Sequence, residues 1–104
     1  MQLSREIIAD TLATPHGEAA YAVCETLLDA GYECWWVGGA VRDMHLGLVP
    51  CEIDMATSAL PKDTARLFKK SDESAAHLGT VVVSVQGHTF EITTFRQDIG
   101  IKDG

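Results

Sequence analysis

The stretch YECWWVGGAVRDMHLGLVPCEIDMATS, residues 32–58, decides the fold of this chain. It begins with a run of β-prone residues at 32–37, and two consecutive glycines end that run. The segment VRDMHL at 41–46 is typical of a short helix, and a second β-prone run, CEIDMA, occupies 51–56. The stretch therefore predicts a strand, a glycine turn, a short helix and a second strand, in that order.

Further helices and strands are predicted on both sides of this stretch. Helix patterns cover 3–12, 15–30 and 60–70. Thr14 is a favourable N-cap for the second helix, and Pro15 suits its first position. We expect the buried stripe of this helix to consist of Tyr21, Cys24, Leu27 and Leu28. The segments TVVVSV and HTFEITTFR, 80–85 and 88–96, predict a hairpin around residues 86–88.

The alternation of helical and β-prone segments predicts an α+β (mixed α/β) fold, with a mixed sheet of about four to five strands and flanking helices. A chain of 104 residues with 46% apolar content has the size of one domain, so residues 1–104 are assigned to a single domain. No stretch approaches the ~20 apolar residues of a membrane span. The charged N-terminus, MQLSREIIAD, argues against an export signal.

The charge balance limits what this chain can bind by itself. Its net charge is −7 and it has only eight Lys and Arg residues, which argues against strong binding of nucleic acid. Three or four of these cations recur at helical spacing, from the set Lys62, Arg66, Lys69 and Lys70. We interpret them as a solvated helix face, and a minor patch that steers phosphate is the alternative.

The cysteines and histidines carry weaker signals. Cys24, Cys34 and Cys51 are odd in number and do not form a CxxC motif, which favours reduced thiols and a cytoplasmic location. We interpret these cysteines as small buried apolar residues. The four histidines are far apart in sequence and show no ligand spacing, so they are predicted to be surface or turn residues: His16, His45, His77 and His88.

Two carboxylates lie two residues apart in the second β-prone run of the opening stretch. On a strand, Glu52 and Asp54 would share one face, where two like charges repel each other. A divalent cation would compensate them, and Mg²⁺ prefers carboxylate oxygens together with substrate phosphates. The alternative is an exposed strand whose outer face is acidic.

The glycine turn offers a candidate phosphate site. Gly38 and Gly39 would let a ligand approach the backbone closely, and the N–H groups of the helix start favour an anion. Arg42, in the first turn of that helix, could bind a phosphate through two hydrogen bonds. The alternative is an ordinary turn in which Arg42 and Asp43 form surface ion pairs.

The hairpin supplies two further candidates. Alternation places Phe90, Ile92 and Thr94 on one face of its second strand, with Glu91 on the other. Glu91 is either a third metal-binding carboxylate or a water-facing residue. Arg96 is either a second phosphate contact or a surface residue at the end of the strand.

The order hGGxxRD, then [DE]h[DE], then an acid on a later strand resembles the DNA polymerase beta-like nucleotidyltransferase superfamily. Residues 31–98 resemble more closely the N-terminal head domain of class II tRNA nucleotidyltransferases (CCA-adding enzymes) and bacterial poly(A) polymerases. The resemblance includes the end of the hairpin, where TTFRQD fits the pattern TT-x-R-x-D. It implies a nucleotidyltransferase-type fold.

The resemblance also implies a reaction: an RNA 3′-hydroxyl attacks the α-phosphate of CTP or ATP, and pyrophosphate leaves. It assigns the triphosphate to Gly38, Gly39 and Arg42. It assigns Mg²⁺ to Glu52 and Asp54, with Glu91 as the third carboxylate. The expected partners are CTP, ATP and the 3′ end of tRNA or another RNA, with no membrane; the oligomeric state stays open.

The chain departs from the family pattern in two respects. The family usually has Asp at both metal positions, and the extra methylene of Glu52 moves its carboxylate by ~1.5 Å at a site that needs placement within roughly 0.5 Å. The neck, body and tail domains that grip tRNA in the family are not in this sequence, so we expect a fragment. The alternatives are a small stand-alone nucleotidyltransferase acting on a protein or small molecule, and a non-catalytic nucleotide-binding remnant.

Overall fold

The computed structural model describes residues 5–95, which form four α-helices and a five-stranded sheet. The helices are α1 (Arg5–Leu12), α2 (Pro15–Asp29), α3 (Gly39–His45) and α4 (Pro61–Leu67). The strands are β1 (Cys34–Val37), β2 (Asp54–Thr57), β3 (Lys70–Asp72), β4 (Thr80–Val85) and β5 (His88–Thr94), and a 3₁₀ turn, Ala76–Leu78, precedes β4. The prediction of an α+β fold with a mixed sheet is confirmed.

The sheet order is β1-β2-β5-β4-β3. Three of its neighbouring pairs are antiparallel, namely β1 with β2, β5 with β4, and β4 with β3. The pair β2 and β5 is parallel. This parallel pairing brings the strand of the opening stretch beside the second strand of the hairpin, and the candidate site depends on that contact.

Helix α2 begins as predicted, and its buried face agrees with the predicted one only in part: Leu27 is fully buried and Cys24 packs against the core. Thr14 caps the helix, because its hydroxyl accepts a hydrogen bond from the Gly17 amide at 3.0 Å. Tyr21 and Leu28, expected in the core, are 51% and 55% exposed. The face that packs on the sheet consists of Ala19, Ala20, Val23 and Leu27. The small alanines allow close packing, so the buried stripe is rotated from the one predicted by large side chains.

Gly17 is needed where α1 meets α2. A Cβ at this position would lie 1.8 Å from the carbonyl oxygen of Thr11, near the end of α1. Only glycine leaves room for this approach of the two helices. The fully buried Thr11 hydroxyl donates to the carbonyl oxygen of Ile7, which keeps this buried polar group satisfied.

The predicted helix over 60–70 is too long. Helix α4 ends at Leu67, and Phe68 has an extended backbone with its side chain 8% exposed in the core. The chain then forms β3, whose Lys70 pairs with Ser84 of β4. Lys69 and Lys70 therefore lie outside the helix, and the prediction that they share one helix face with Lys62 and Arg66 is wrong.

The predicted hairpin is present with a two-residue turn. Gln86 and Gly87 have φ values of +54° and +81°, which indicates a type I′ turn. His88 pairs with Val85 and belongs to β5. The strand alternation is also confirmed, since Phe90 and Ile92 are buried and Glu91 is exposed.

The helices cover one face of the sheet and leave the other face open. Buried sheet residues on the helix side include Met55, Val81, Val83, Phe90 and Ile92. The adjacent tryptophans face opposite sides, as predicted: Trp36 packs against the core, whereas Trp35 is 59% exposed. Within residues 5–95, no helix is long and apolar enough to cross a membrane.

Candidate active site

The glycine turn after β1 has a backbone that only glycine adopts readily. Gly38 has φ +73° and ψ −140° and lies just before α3, and its carbonyl oxygen accepts the Arg42 amide at 3.3 Å. Gly39, the first residue of α3, has its missing Cβ position 3.5 Å from Nη2 of Arg42. The Arg42 guanidinium therefore lies against the glycine turn.

Arg42 is available to a ligand. Its side chain is exposed, and the one ion pair found in residues 5–95 joins Arg66 to Asp63 at 3.7 Å. The alternative in which Arg42 and Asp43 form surface ion pairs is therefore wrong for this structure. An exposed guanidinium beside a glycine turn can bind a phosphate group through two parallel hydrogen bonds.

The acidic pair only partly belongs to a strand. Strand β2 begins at Asp54 and not at Cys51, because its partner β1 ends at Val37, the residue paired with Asp54. Glu52 precedes the strand. The alternation nevertheless extends back to it: Glu52 and Asp54 are exposed, and Ile53 between them is 1% exposed. Both carboxylates therefore face solvent on the same side, as the spacing predicts.

Next to the acidic pair, a histidine side chain accepts the backbone hydrogen bond that a strand partner would otherwise accept. The amide of Ile53 donates a hydrogen bond to Nε2 of His16, at the start of α2, at 3.1 Å. Nδ1 of His16 lies 3.2 Å from Nδ1 of His88, the first residue of β5. The His16 ring also packs on Phe90, with 4.7 Å between ring centroids.

These contacts indicate the tautomer of His16. Because Nε2 of His16 accepts the Ile53 amide, its proton is on Nδ1, which donates to Nδ1 of His88. Burial lowers the pKa of His16, the neighbouring His88 lowers it further, and the negative charge of Glu52 opposes both effects. The neutral form of His16 therefore holds the backbone between the two carboxylates.

The prediction that the histidines are surface or turn residues is wrong for His16 and His88. These residues are half-buried and in contact, although 72 positions separate them in sequence. A histidine two residues after the N-cap of a helix carries no signal that it will contact a hairpin. This contact could be found only in three dimensions.

The sheet places the acidic pair between the glycine turn and Glu91. In the parallel pair, Met55 lies beside Ile92, so the preceding residues, Asp54 and Glu91, are neighbours on the open face. A cavity of about 310 Å³ is lined on one side by Gly39 and on the other by Glu52 and Asp54. A second cavity of about 360 Å³ joins the same two carboxylates to Glu91 and the histidine pair.

The donor atoms of this site suit a hard cation bound with a ligand. In residues 5–95, no three Asp, Glu, His or Cys side chains are grouped to hold one metal ion. Two exposed carboxylates, from Glu52 and Asp54, are nevertheless the number that Mg²⁺ commonly takes from a protein when substrate phosphates and waters complete its shell. Arg96, the other predicted phosphate contact, lies outside the described residues.

In this chain, a mixed five-stranded sheet sets a glycine turn beside acidic residues of neighbouring strands. This arrangement places the chain in the class of nucleotidyltransferase folds. Comparison with known proteins gives the family. Residues 34–104 match the Poly A polymerase head domain, and the chain belongs to that family. Membership of a nucleotidyltransferase family implies dependence on a divalent cation in general.

Individual relatives agree with this assignment. The CCA-adding enzyme of Geobacillus kaustophilus is 44% identical over 89 residues, which are 86% of this chain and 22% of the relative. The structure of the Bacillus stearothermophilus CCA-adding enzyme in complex with CTP is similar with a TM-score of 0.74 and 41% identity, over 82% of this chain and 22% of that one. The Thermotoga maritima CCA-adding enzyme complexed with tRNA has a TM-score of 0.68 at 18% identity, over 92% of this chain and 25% of that one, which shows a shared fold alone. The chain thus spans about a fifth of the length of the relatives it matches.

Proposed function

We propose that residues 1–104 form one nucleotidyltransferase head domain that acts in transferring nucleotides from CTP or ATP to the 3′-hydroxyl of tRNA or another RNA. The observation that carries the proposal is the position of Asp54, which is paired with the last residue of β1 before the glycine turn and is adjacent to Glu91. The 41% identical relative was solved in complex with CTP, which supports the choice of nucleotide.

In the proposed reaction, the residues of this chain bind and orient the triphosphate. The backbone of Gly38 and Gly39 leaves room for phosphate oxygens, and Arg42 donates hydrogen bonds to them. The RNA 3′-oxygen forms a bond to the α-phosphorus while the bond to pyrophosphate breaks. Positioning and electrostatic stabilisation supply most of the rate in reactions of this type, since little covalent chemistry falls to the side chains.

The carboxylates are the proposed ligands of Mg²⁺. Glu52 and Asp54 would hold the cation together with phosphate oxygens. Glu91 lines the same cavity and would add a third carboxylate only if its side chain moved closer to the pair, because the three are not grouped around one position in the part of the chain that the structure describes. When bound, the cation would lower the pKa of the attacking hydroxyl and neutralise charge on the leaving pyrophosphate. His16 would act as a positioning residue, because it holds the Ile53 amide between the two ligands.

Nucleotide binding to this chain tests the proposal directly. Calorimetric titration of CTP and of ATP should show binding that requires Mg²⁺ and that a Glu52→Ala, Asp54→Ala double variant loses. A Glu25→Ala, Asp29→Ala variant removes the same charge from exposed positions of α2 and should bind like the native chain. Equal binding by all three proteins would contradict the proposed role of the acidic pair.

A transfer assay distinguishes the proposed function from its alternatives. A labelled nucleotide is offered together with tRNA that lacks its 3′-terminal nucleotides. Extension of the RNA with release of pyrophosphate would support the proposal. Nucleotide binding without extension would favour a nucleotide-binding remnant, and labelling of a protein or small molecule would favour a stand-alone enzyme. As part of the proposal we place the protein in the cytoplasm, which its three free thiols support.

A further inference from the structure

Two cysteines meet between α2 and β1, on the helix side of the sheet. Sγ of Cys24, in α2, lies 2.8 Å from Sγ of Cys34, the first residue of β1. The indole N–H of Trp36 donates a hydrogen bond to the same Cys24 sulfur at 3.2 Å. Residues 34 and 36 share one face of the strand because side chains alternate, so both point at Cys24.

The hydrogen bonds make the two thiols chemically different. The contact with Cys34 lowers the pKa of Cys24; burial opposes this shift, and the hydrogen bond from the Trp36 indole adds to it. The Cys34 thiol also lies within donating distance of the Met55 sulfur, at 3.8 Å. The contact with Cys24 raises the pKa of Cys34, and burial raises it further. Both cysteines are half-buried and therefore partly accessible to solvent. Cys24 is therefore the thiol that reacts first, because the thiolate is the nucleophile.

We propose that Cys24 and Cys34 are a redox site: they form a reversible disulfide that links α2 to β1, with Cys24 as the attacking sulfur. A disulfide has an S–S distance of 2.03–2.05 Å, so the two sulfurs need to approach by less than about 1 Å. Cys51 is exposed and precedes β2, and no sulfur contact of Cys51 is found within residues 5–95. The pairing of Cys24 with Cys34 therefore depends on the packing of α2 against β1 and not on a CxxC motif.

The oxidant is a small disulfide such as oxidised glutathione. The Cys24 thiolate attacks one glutathione sulfur, which forms a mixed disulfide and releases the first glutathione thiolate. Cys34 then loses its proton and attacks the Cys24 sulfur, which displaces the second glutathione. Two electrons pass from the protein thiols to the glutathione disulfide, and two molecules of reduced glutathione are formed.

The bond would lock the strand that leads into the glycine turn. It would close a ring that contains the end of α2 and the whole connection to β1. Closing a ring of about ten residues corresponds to a roughly 100-fold change in the unfolding equilibrium. By thermodynamic linkage, the equilibrium constant for disulfide formation is expected to be roughly 100-fold higher in the folded chain than in the unfolded one.

Peptide mapping tests this proposal without any variant. Trypsin cleaves after Arg5, Arg42 and Lys62, so Cys24 and Cys34 fall in one peptide and Cys51 falls in the next. The reduced chain is equilibrated with glutathione redox buffers, quenched with acid, alkylated and digested. We expect the first peptide to lose two hydrogens and to resist alkylation. Cys51 is expected to carry glutathione or the alkyl group.

Parallel samples decide the outcome. The same buffers in urea provide the unfolded reference, and a Cys34→Ser variant should accumulate a stable mixed disulfide at Cys24. A Cys51→Ser variant should form the ring like the native chain. The proposal is overturned if equilibrium constants for the ring are equal in the folded and urea-unfolded chains. It is also overturned if the folded chain keeps separate adducts on Cys24 and Cys34.

Discussion

Replacing Gly38 with alanine tests the conformation of the glycine turn. The backbone of Gly38 has φ +73° and ψ −140°, and no atom lies within 4 Å of the position that a Cβ would occupy. The loss in the free energy of unfolding caused by Gly38→Ala therefore comes from the unfavourable backbone conformation alone, because the added methyl group meets no steric clash. For a residue other than glycine, that loss is about 1–3 kcal/mol.

The next residue provides a matched control. Gly39 has no positive φ, and a Cβ there would meet only Nη2 of Arg42 at 3.5 Å, an ordinary contact with the end of a flexible side chain. Gly39→Ala should change the free energy of unfolding by no more than about 0.5 kcal/mol. The two variants thus add the same methyl group one residue apart with different expected effects.

Urea unfolding followed by circular dichroism measures both variants. Gly38→Ala should lower the free energy of unfolding by about 1–3 kcal/mol, and each kcal/mol corresponds to a fall of about 4–8 °C in the melting temperature of a domain of this size. Equal destabilisation by the two variants would refute the reasoning. An unchanged stability in Gly38→Ala would show that the turn does not require the glycine conformation.

Three other predictions concern stability and are measured by the same unfolding experiments. The pKa of His16 is below its ordinary value of 6.5, so below pH 6.5 the unfolded chain binds a proton that the folded chain does not. The free energy of unfolding should therefore fall as the pH is lowered. The fall should be smaller in His16→Gln than in the exposed control His77→Gln. An equal pH dependence of stability in the two variants would contradict this explanation. The buried Thr57 hydroxyl donates to the carbonyl oxygen of Glu33 at 2.6 Å and accepts from the amide of Ala59 at 3.2 Å. Thr57→Val removes both hydrogen bonds and should lower the free energy of unfolding by about 1–3 kcal/mol. An unchanged stability would mean that water replaces both bonds. Gln86→Asn should stabilise the hairpin by up to about 1 kcal/mol, because asparagine tolerates the φ of +54° better; a loss of stability would contradict this.

The sequence predicts most of the fold because local signals agree with the tertiary structure. Capping residues locate the start of α2, and the Gln-Gly pair locates the turn of the hairpin. The sequence does not predict strand β3, because its three residues, Lys-Ser-Asp, are polar and exposed. The strand pairs with β4 directly after Phe68 has entered the core, a tertiary contact that the polar sequence does not signal.

The candidate site was predicted in part. The alternation of Glu52 and Asp54 and the glycine turn are local patterns, and the structure retains both. The contacts of His16 with His88 and of Cys24 with Cys34 depend on which elements pack together. Residue type and spacing carry no information on either pair, so these contacts could not be inferred from one sequence.

The alternation around β2 also limits how the length of this chain can vary in evolution. Inserting or deleting one residue within 54–57 would exchange the two faces of the strand, which would bury a carboxylate and expose Met55. The loop at 46–49 has no alternation of buried and exposed residues to preserve, since all four of its residues are exposed. Length variation among relatives is therefore expected in this loop, while the number of residues between Ile53 and Thr57 should stay constant.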